Sequence, residues 1–178
     1  MKATGIVRRV DDLGRVVIPK EIRRTLHIRE GDPLEIFTSK DGGVIFRKYS
    51  PMGELQEQAQ RLCDAIHSCT GCLAAVSDRE AVIAQAGARE LTDRPNGPEL
   101  EAIMEKRSFY CFETGKPLLS AVEGETEHHL GAAMPIVCQG DLMGCVMLLL
   151  DRTGTPPGAQ DGALVKTAAE FLSRQMEG

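Results

Sequence analysis

The stretch TGIVRRVDDLGRVVIPKEIRRTL, residues 4–26, decides how the chain is read. Ile6, Arg8 and Val10 alternate with Val7 and Arg9, the period of a strand with two different faces. Asp11, Asp12, Leu13 and Gly14 supply turn chemistry: short acceptors for the backbone and a glycine that tolerates positive φ. A second apolar run, Val16 to Ile18, follows, and Pro19 suits the first position of a helix because its φ is already helical. Ile22 and Leu26, four apart, predict one buried face on that helix, which turns Arg23 and Arg24 outward. The expected unit is therefore strand, turn, strand, helix, carrying Arg8, Arg9, Arg15, Arg23 and Arg24. An arginine face this dense points to an anionic polymer, since the planar guanidinium fork fits phosphate oxygens and the guanine edge.

Charge is divided along the chain in the same sense. The 178 residues carry a net charge of −5, yet residues 1–50 hold 11 Lys/Arg against 7 Asp/Glu, a balance of +4, and the rest sums to −9. A basic head on an acidic body is expected if only the head approaches a phosphate backbone. Hydrophobic residues make up 42% of the chain but aromatic ones only 4%, with no Trp, so the core must be aliphatic. No apolar segment is long enough for a signal peptide or a membrane span, and a cytoplasmic chain with reduced thiols is expected.

After the helix, Gly31, Asp32 and Pro33 break the chain. Residues 34–38 and 44–49 then read as a hairpin around Asp41, Gly42 and Gly43. Four short strands and one short helix in residues 1–50 are too little chain to bury a core alone, so association with a second copy is expected. Ser50 to Gly53 marks the boundary, and residues 51–178 form the second domain. There, Leu55, Leu62, Ile66 and Cys69 predict a helix with a narrow apolar stripe that serves either its own domain or a coiled-coil-like partner. Strands are expected at 73–76, 81–86, 108–113, 117–122, 129–137 and 142–150, and a helix at 99–107. A closing helix carries Leu164, Val165, Ala168, Leu172 and Met176 on one face. This order predicts an α+β domain, an antiparallel sheet covered by helices.

Two resemblances are carried by these residues. MKATGIVRRVDDLGRVVIPKEIRRTLHIREGDPLEIF resembles the AbrB-type swapped-hairpin DNA-binding family, and the element order of the remainder resembles a GAF domain. The likeness to sporulation regulators of this build returns in PIVCQGDLMG and AAEFLSRQME, near the C-terminal end. The resemblance implies a domain-swapped dimer of heads. It also implies contacts to double-stranded DNA from Arg8, Arg15, Arg23 and Arg24; Arg9 and Lys2 are added from local charge. It further implies a homotetramer, built as a dimer of dimers, that activates and represses late forespore genes. The GAF-like body would serve assembly or an unidentified small-molecule effector.

The remaining chemistry-bearing residues carry weaker signals. Cys69 and Cys72 form a C-x-x-C with Cys63 and His67 nearby, but the spacing is not a standard zinc arrangement, and a helix end with buried thiols is the plainer expectation. Cys111, Cys138 and Cys145 could serve a GAF-fold thiol reductase only if one were activated, and no basic residue adjoins them in sequence. His128 and His129 follow an acidic run and are expected in a solvated loop, with a pH- or metal-sensitive lid as the alternative. No phosphate-cradling glycine loop is present, so neither cofactor nor metal nor catalytic set is assigned. Swapped-hairpin heads also occur in antitoxins, where a disordered tail is the usual C-terminal part; a folded body of this length speaks against that class.

Overall fold

The computed structural model describes residues 5–26, 28, 30–49, 51–150, 156 and 158–177. The chain divides into two compact units, Met1–Tyr49 and Ser50–Gly178.

In the first unit, Asp11 to Gly14 form the expected turn, closed by Gly14 N–H donating to Asp11 O and Asp11 N–H to Arg15 O, both at 3.0 Å. Gly14 sits at φ 76°, where a side chain would be strained. The flanking segments are not strands within the single chain: residues 5–10 and 15–19 find no ladder partner. Helix α1 (Lys20–Thr25) starts one residue later than expected, because Pro19 keeps an extended ψ of 148° and stands just outside it. Its predicted buried face is also missing, with no buried residue in the helix. The hairpin of β1 (Leu34–Thr38) and β2 (Val44–Lys48) is as read, antiparallel with Ile36 opposite Phe46. Its turn is closed by Ser39 N–H to Gly43 O at 2.9 Å and Gly42 N–H to Ser39 O at 3.0 Å.

Pro19 is the one buried residue among those described in 5–49. Val7 is 86% exposed, Leu13 and Val17 71% each, and Ile36, Val44 and Phe46 also face solvent. An alternating apolar sequence that leaves most of these side chains exposed has its hydrophobic face still open, and each exposed one forgoes about 1.5–3 kcal/mol of burial.

The second unit opens with a short helix α2 (Pro51–Glu54) and α3 (Gln56–Thr70). A five-stranded antiparallel sheet follows: β3 (Leu73–Asp78), β4 (Val82–Ala86), β5 (Tyr110–Cys111), β6 (Leu130–Cys138) and β7 (Asp141–Leu149), in the order β4-β3-β7-β6-β5. Between β4 and β5 lie a 3-10 turn at Arg89–Leu91 and helix α4 (Pro98–Lys106), and α5 (Ala159–Glu177) closes the chain.

Both sheet faces are buried, and the period of two sorts the side chains between them. Ala74, Val76, Val146 and Leu148 join Ala59, Cys63 and Ile66 of α3 and Val165, Ala168 and Leu172 of α5 in one core. Ala75, Cys145, Met147 and Leu149 join Leu91 and Leu100, Ile103 and Met104 of α4 in the other. The apolar stripes on α3 and α5 are thus spent inside the unit, while Cys69 at the end of α3 is exposed. The β4 edge is covered by glutamines from α3: Gln56 donates to Ile83 O at 3.1 Å, and Gln60 donates to Gln85 O at 2.8 Å and accepts from Gln85 N at 3.3 Å. Such cover removes the free backbone row that makes an open edge prone to aggregation.

Two strand expectations are corrected. The strand at 108–113 shrinks to Tyr110–Cys111, and 117–122 is a strap joined only by isolated bridges, Asn96 with Val122 and Ser120 with His129. Tertiary anchors hold the strap: Gly97 N–H to Ala121 O at 3.0 Å, Arg94 Nη2 to Glu123 O at 2.6 Å, and Ser120 Oγ to Glu125 O at 2.9 Å. His128 is likewise not in a solvated loop; it is buried and pairs through Nε2 with the Glu90 carboxylate.

Strand β7 passes β3 with no room to spare at Gly144, where a Cβ would lie 2.0 Å from Ser77 O. Gly144→Ala is therefore expected to cost the body about 2–3 kcal/mol by forcing the two backbones apart. Gly53→Ala, in open space on α2, is the control and should leave stability unchanged or raised. Urea unfolding of the full chain, followed on the body's transition, compares the two.

Candidate nucleic-acid interface

Arg8, Arg9, Arg15, Arg23 and Arg24 are all exposed. Arg8 and Arg9 lie in the extended segment before the turn, and Arg15 directly after it. Arg23 and Arg24 occupy the last turn of α1, where positive side chains also complement the partial negative charge of the helix end. Arg23 N–H donates to Pro19 O at 3.0 Å, so the helix start and its basic end are one rigid turn. Lys2 lies outside the described residues.

Of these cations, Arg15 is held by a neighbour that the sequence reading treated as turn chemistry alone. Asp11 accepts Arg15 Nε–H at 2.8 Å through Oδ2, while Oδ1 accepts the backbone N–H of Arg15 at 2.7 Å and of Leu13 at 3.0 Å. The Arg15 backbone N–H and then its guanidinium hold the Asp11 carboxyl below the usual carboxylate range. The four-residue spacing of Asp11 and Arg15 was the available signal, but that pairing rule belongs to helices and here operates across a turn. Lys20 is a further cation missed by the reading; it sits four residues before Arg24 on α1 and is exposed. Elsewhere in this unit Arg47 lies 5.1 Å over the Phe37 ring, and Lys48 pairs with Asp32 at 3.4 Å.

In the body, Cys63, Cys138 and Cys145 are buried, Cys72 and Cys111 half-buried, and Cys69 exposed, so the expected buried thiols at the helix end are not found at Cys69. Burial, with the Asp64 charge second, pushes the Cys63 thiol up to about 12. Burial also raises Cys145, Cys111 and Cys138, each the opposite of an activated thiolate. His67 Nδ1 lies 2.8 Å from Cys72 O, which ties the end of α3 to the start of β3. Gly71, at φ 76°, caps that helix, so the C-x-x-C spans a helix end.

An AbrB-like basic head joined to a GAF-like sheet body defines a two-domain transcription regulator. The profile of the family described as "Stage V sporulation protein T C-terminal, transcription factor" matches residues 54–177, and that of "Antidote-toxin recognition MazE, bacterial antitoxin" matches residues 7–53. Stage V sporulation protein T of Bacillus subtilis (strain 168) is 46% identical over 181 residues, 99% of each chain. Transition state regulatory protein AbrB of the same organism is 63% identical over 51 residues, 29% of this chain and 52% of that one. A GAF domain/HD domain protein from Geobacter sulfurreducens shares the fold at 15% identity and a TM-score of 0.51, covering 72% of this chain and 99% of that one. The chain belongs to the stage V sporulation protein T family of transcription factors.

Arg24→Ala is expected to abolish sequence-specific DNA binding in a gel shift while moving the melting temperature little, because an exposed side chain outside an ion-pair network contributes little to stability. A variant that shifts the duplex as the wild type does removes Arg24 from the interface.

Proposed function

We propose that the head binds double-stranded DNA as a swapped-hairpin dimer, with Arg8, Arg15, Arg23 and Arg24 contacting the duplex and Arg9 and Lys2 adding charge. One observation carries this reading: all five described arginines of the stretch are exposed on a unit whose apolar side chains are exposed too. A second copy that completes the hydrophobic core would place two arginine sets on one surface. The regulator would activate and repress late forespore genes of an endospore former, as its relationship to stage V sporulation protein T supports. A cytoplasmic chain fits this role; no described helix is long and apolar enough to cross a membrane.

The body is read as a non-enzymatic assembly and sensing unit. The raised thiols speak against reductase chemistry. The antitoxin-type match on residues 7–53 favours a partner-binding alternative, but that class expects an unstructured tail, and residues 50–178 form a sheet with two cores. An effector of the body would meet the cavity of about 310 Å³ beside β5, lined by Tyr110, Glu113, Lys116 and Leu119.

DNA binding should weaken steeply with salt. Four arginines from each of two chains, six to eight of them neutralising phosphates, give a slope of log affinity against log salt of about −5 to −7. Anisotropy titrations across a salt series measure it, and a slope near −1 would place most of these arginines away from the backbone.

Assembly is proposed as a dimer of dimers. The head supplies one pairing through its open apolar face. The body supplies the other through the outer face of α5, where Phe171 is 44% exposed beside the small Ala163 and Thr167. Light scattering should give four subunits for the full chain and two for residues 51–178. Two for the full chain would leave each assembly one DNA-binding head pair and no gain from bridging two sites.

A further inference from the structure

The turn that carries Arg15 has a carboxylate at its centre, and that carboxylate has two separable roles. Asp11 Oδ1 accepts two backbone N–H groups, Leu13 at 3.0 Å and Arg15 at 2.7 Å, and so shapes the turn. Asp11 Oδ2 accepts Arg15 Nε–H at 2.8 Å and so grips a guanidinium. The backbone closes around the same group through the Asp11–Arg15 and Gly14–Asp11 bonds. The Arg15 side chain nevertheless remains 70% exposed.

Stability does not account for the grip, since exposed ion pairs contribute little. Simple attraction to DNA does not account for it either. A negative charge within the most basic stretch of the chain opposes the approach of phosphates. What the grip does accomplish is geometric. An arginine side chain turns about several bonds, and bonding its Nε to a fixed oxygen sets the plane of the guanidinium. The end-on edge, Nη1 and Nη2, is then left for a ligand, and no other described residue takes it. That edge is the one that pairs with guanine O6 and N7, where a small misplacement forfeits both bonds, whereas phosphate contacts tolerate varied orientations. Asp12, next in the chain, is tied to no arginine among the described residues.

We propose that Asp11 is a positioning residue for sequence recognition: by holding Arg15 at Nε it aims the terminal fork at a base edge. This rests on the reading that Arg15 contacts DNA. Its signature runs against electrostatics, because removing the negative charge should weaken specific binding while leaving non-specific binding unchanged or stronger.

The test uses the full chain with two labelled duplexes: one selected by the wild type from a random pool, and a scrambled duplex of the same length. Asp11→Asn keeps an amide oxygen for the two backbone N–H groups but loses the charge that grips Nε. Its affinity for the selected duplex should fall about tenfold, with the scrambled duplex bound at least as well as by the wild type. Arg15→Lys, which keeps the charge but has no Nε–H fork, should lose the same discrimination with Asp11 intact; it also serves as the test if Asp11→Asn does not fold. In an Arg15→Ala background, Asp11→Asn should leave the ratio of the two affinities unchanged. An Arg15→Ala protein that discriminates as the wild type does overturns the contact itself. Loss of discrimination in Arg15→Ala, with full discrimination in Asp11→Asn, overturns the grip alone. An Asp11→Asn effect that persists without Arg15 shows that the carboxylate acts by another route.

Discussion

The head cannot satisfy its own hydrophobic pattern, and the rest of its behaviour depends on that constraint. Its valines, isoleucines and phenylalanines alternate as they would in sheet strands, yet among the described residues of 5–49 only Pro19 is buried. Residues 5–10 and 15–19 likewise find no ladder partner in the single chain, although Arg15 and Pro19 bond within the turn and the start of α1. Hydrophobic and hydrogen-bonding demands therefore point to one solution, a second chain, as the proposed swapped dimer has it. Folding and association of such a unit become one equilibrium, so its stability has meaning only at a stated protein concentration. The same constraint links stability to function: a lone head would offer one arginine set, and a pair would offer two held at a fixed separation.

The body meets its demands internally. A sheet rich in alanine, leucine and valine packs on both faces, and the period of two divides its side chains between two cores without conflict. Close strand-to-strand approach accounts for Gly144 lying against Ser77 of β3 and Gly131 against Leu148 of β7. Cysteines fit the same economy of volume: Cys63 and Cys145 are wholly buried and act as small apolar groups, their thiols pushed upward by burial. The polar groups left over fasten loops. Gln60 covers a strand edge, Arg94 holds the strap, and His128 meets Glu90 beneath it.

Charge follows the same division. The basic surplus is on the unit with the open apolar face, and the acidic surplus is on the unit that is already closed. Placing the anions on the body keeps it from competing for phosphate. Among the acids of the basic stretch, Asp11 has bonds to the turn and to Arg15 that give it a local reason to be there.

Much of this was legible in the sequence, because it follows from local chemistry. Turn residues placed Asp11 to Gly14 and the β1–β2 hairpin, and the dense arginines pointed to an anionic partner. Interactions distant in sequence, or joining different elements, were not legible. The stripe Leu55, Leu62, Ile66 and Cys69 read equally well as an exposed seam or as core, and the sheet beneath it showed Leu55 and Ile66 buried, Leu62 packed against the core and Cys69 left exposed. Residues 117–122 carry strand-forming side chains but lie as a strap, because their anchors are Gly97 and Arg94, more than twenty residues away. His128 looked solvated beside its acidic neighbours until Glu90, thirty-eight positions distant, was seen to face it. Local chemistry placed the turns, the β1–β2 hairpin and the helices of the body. The tertiary structure alone decided which apolar faces are already covered, since burial depends on partners that no local pattern names.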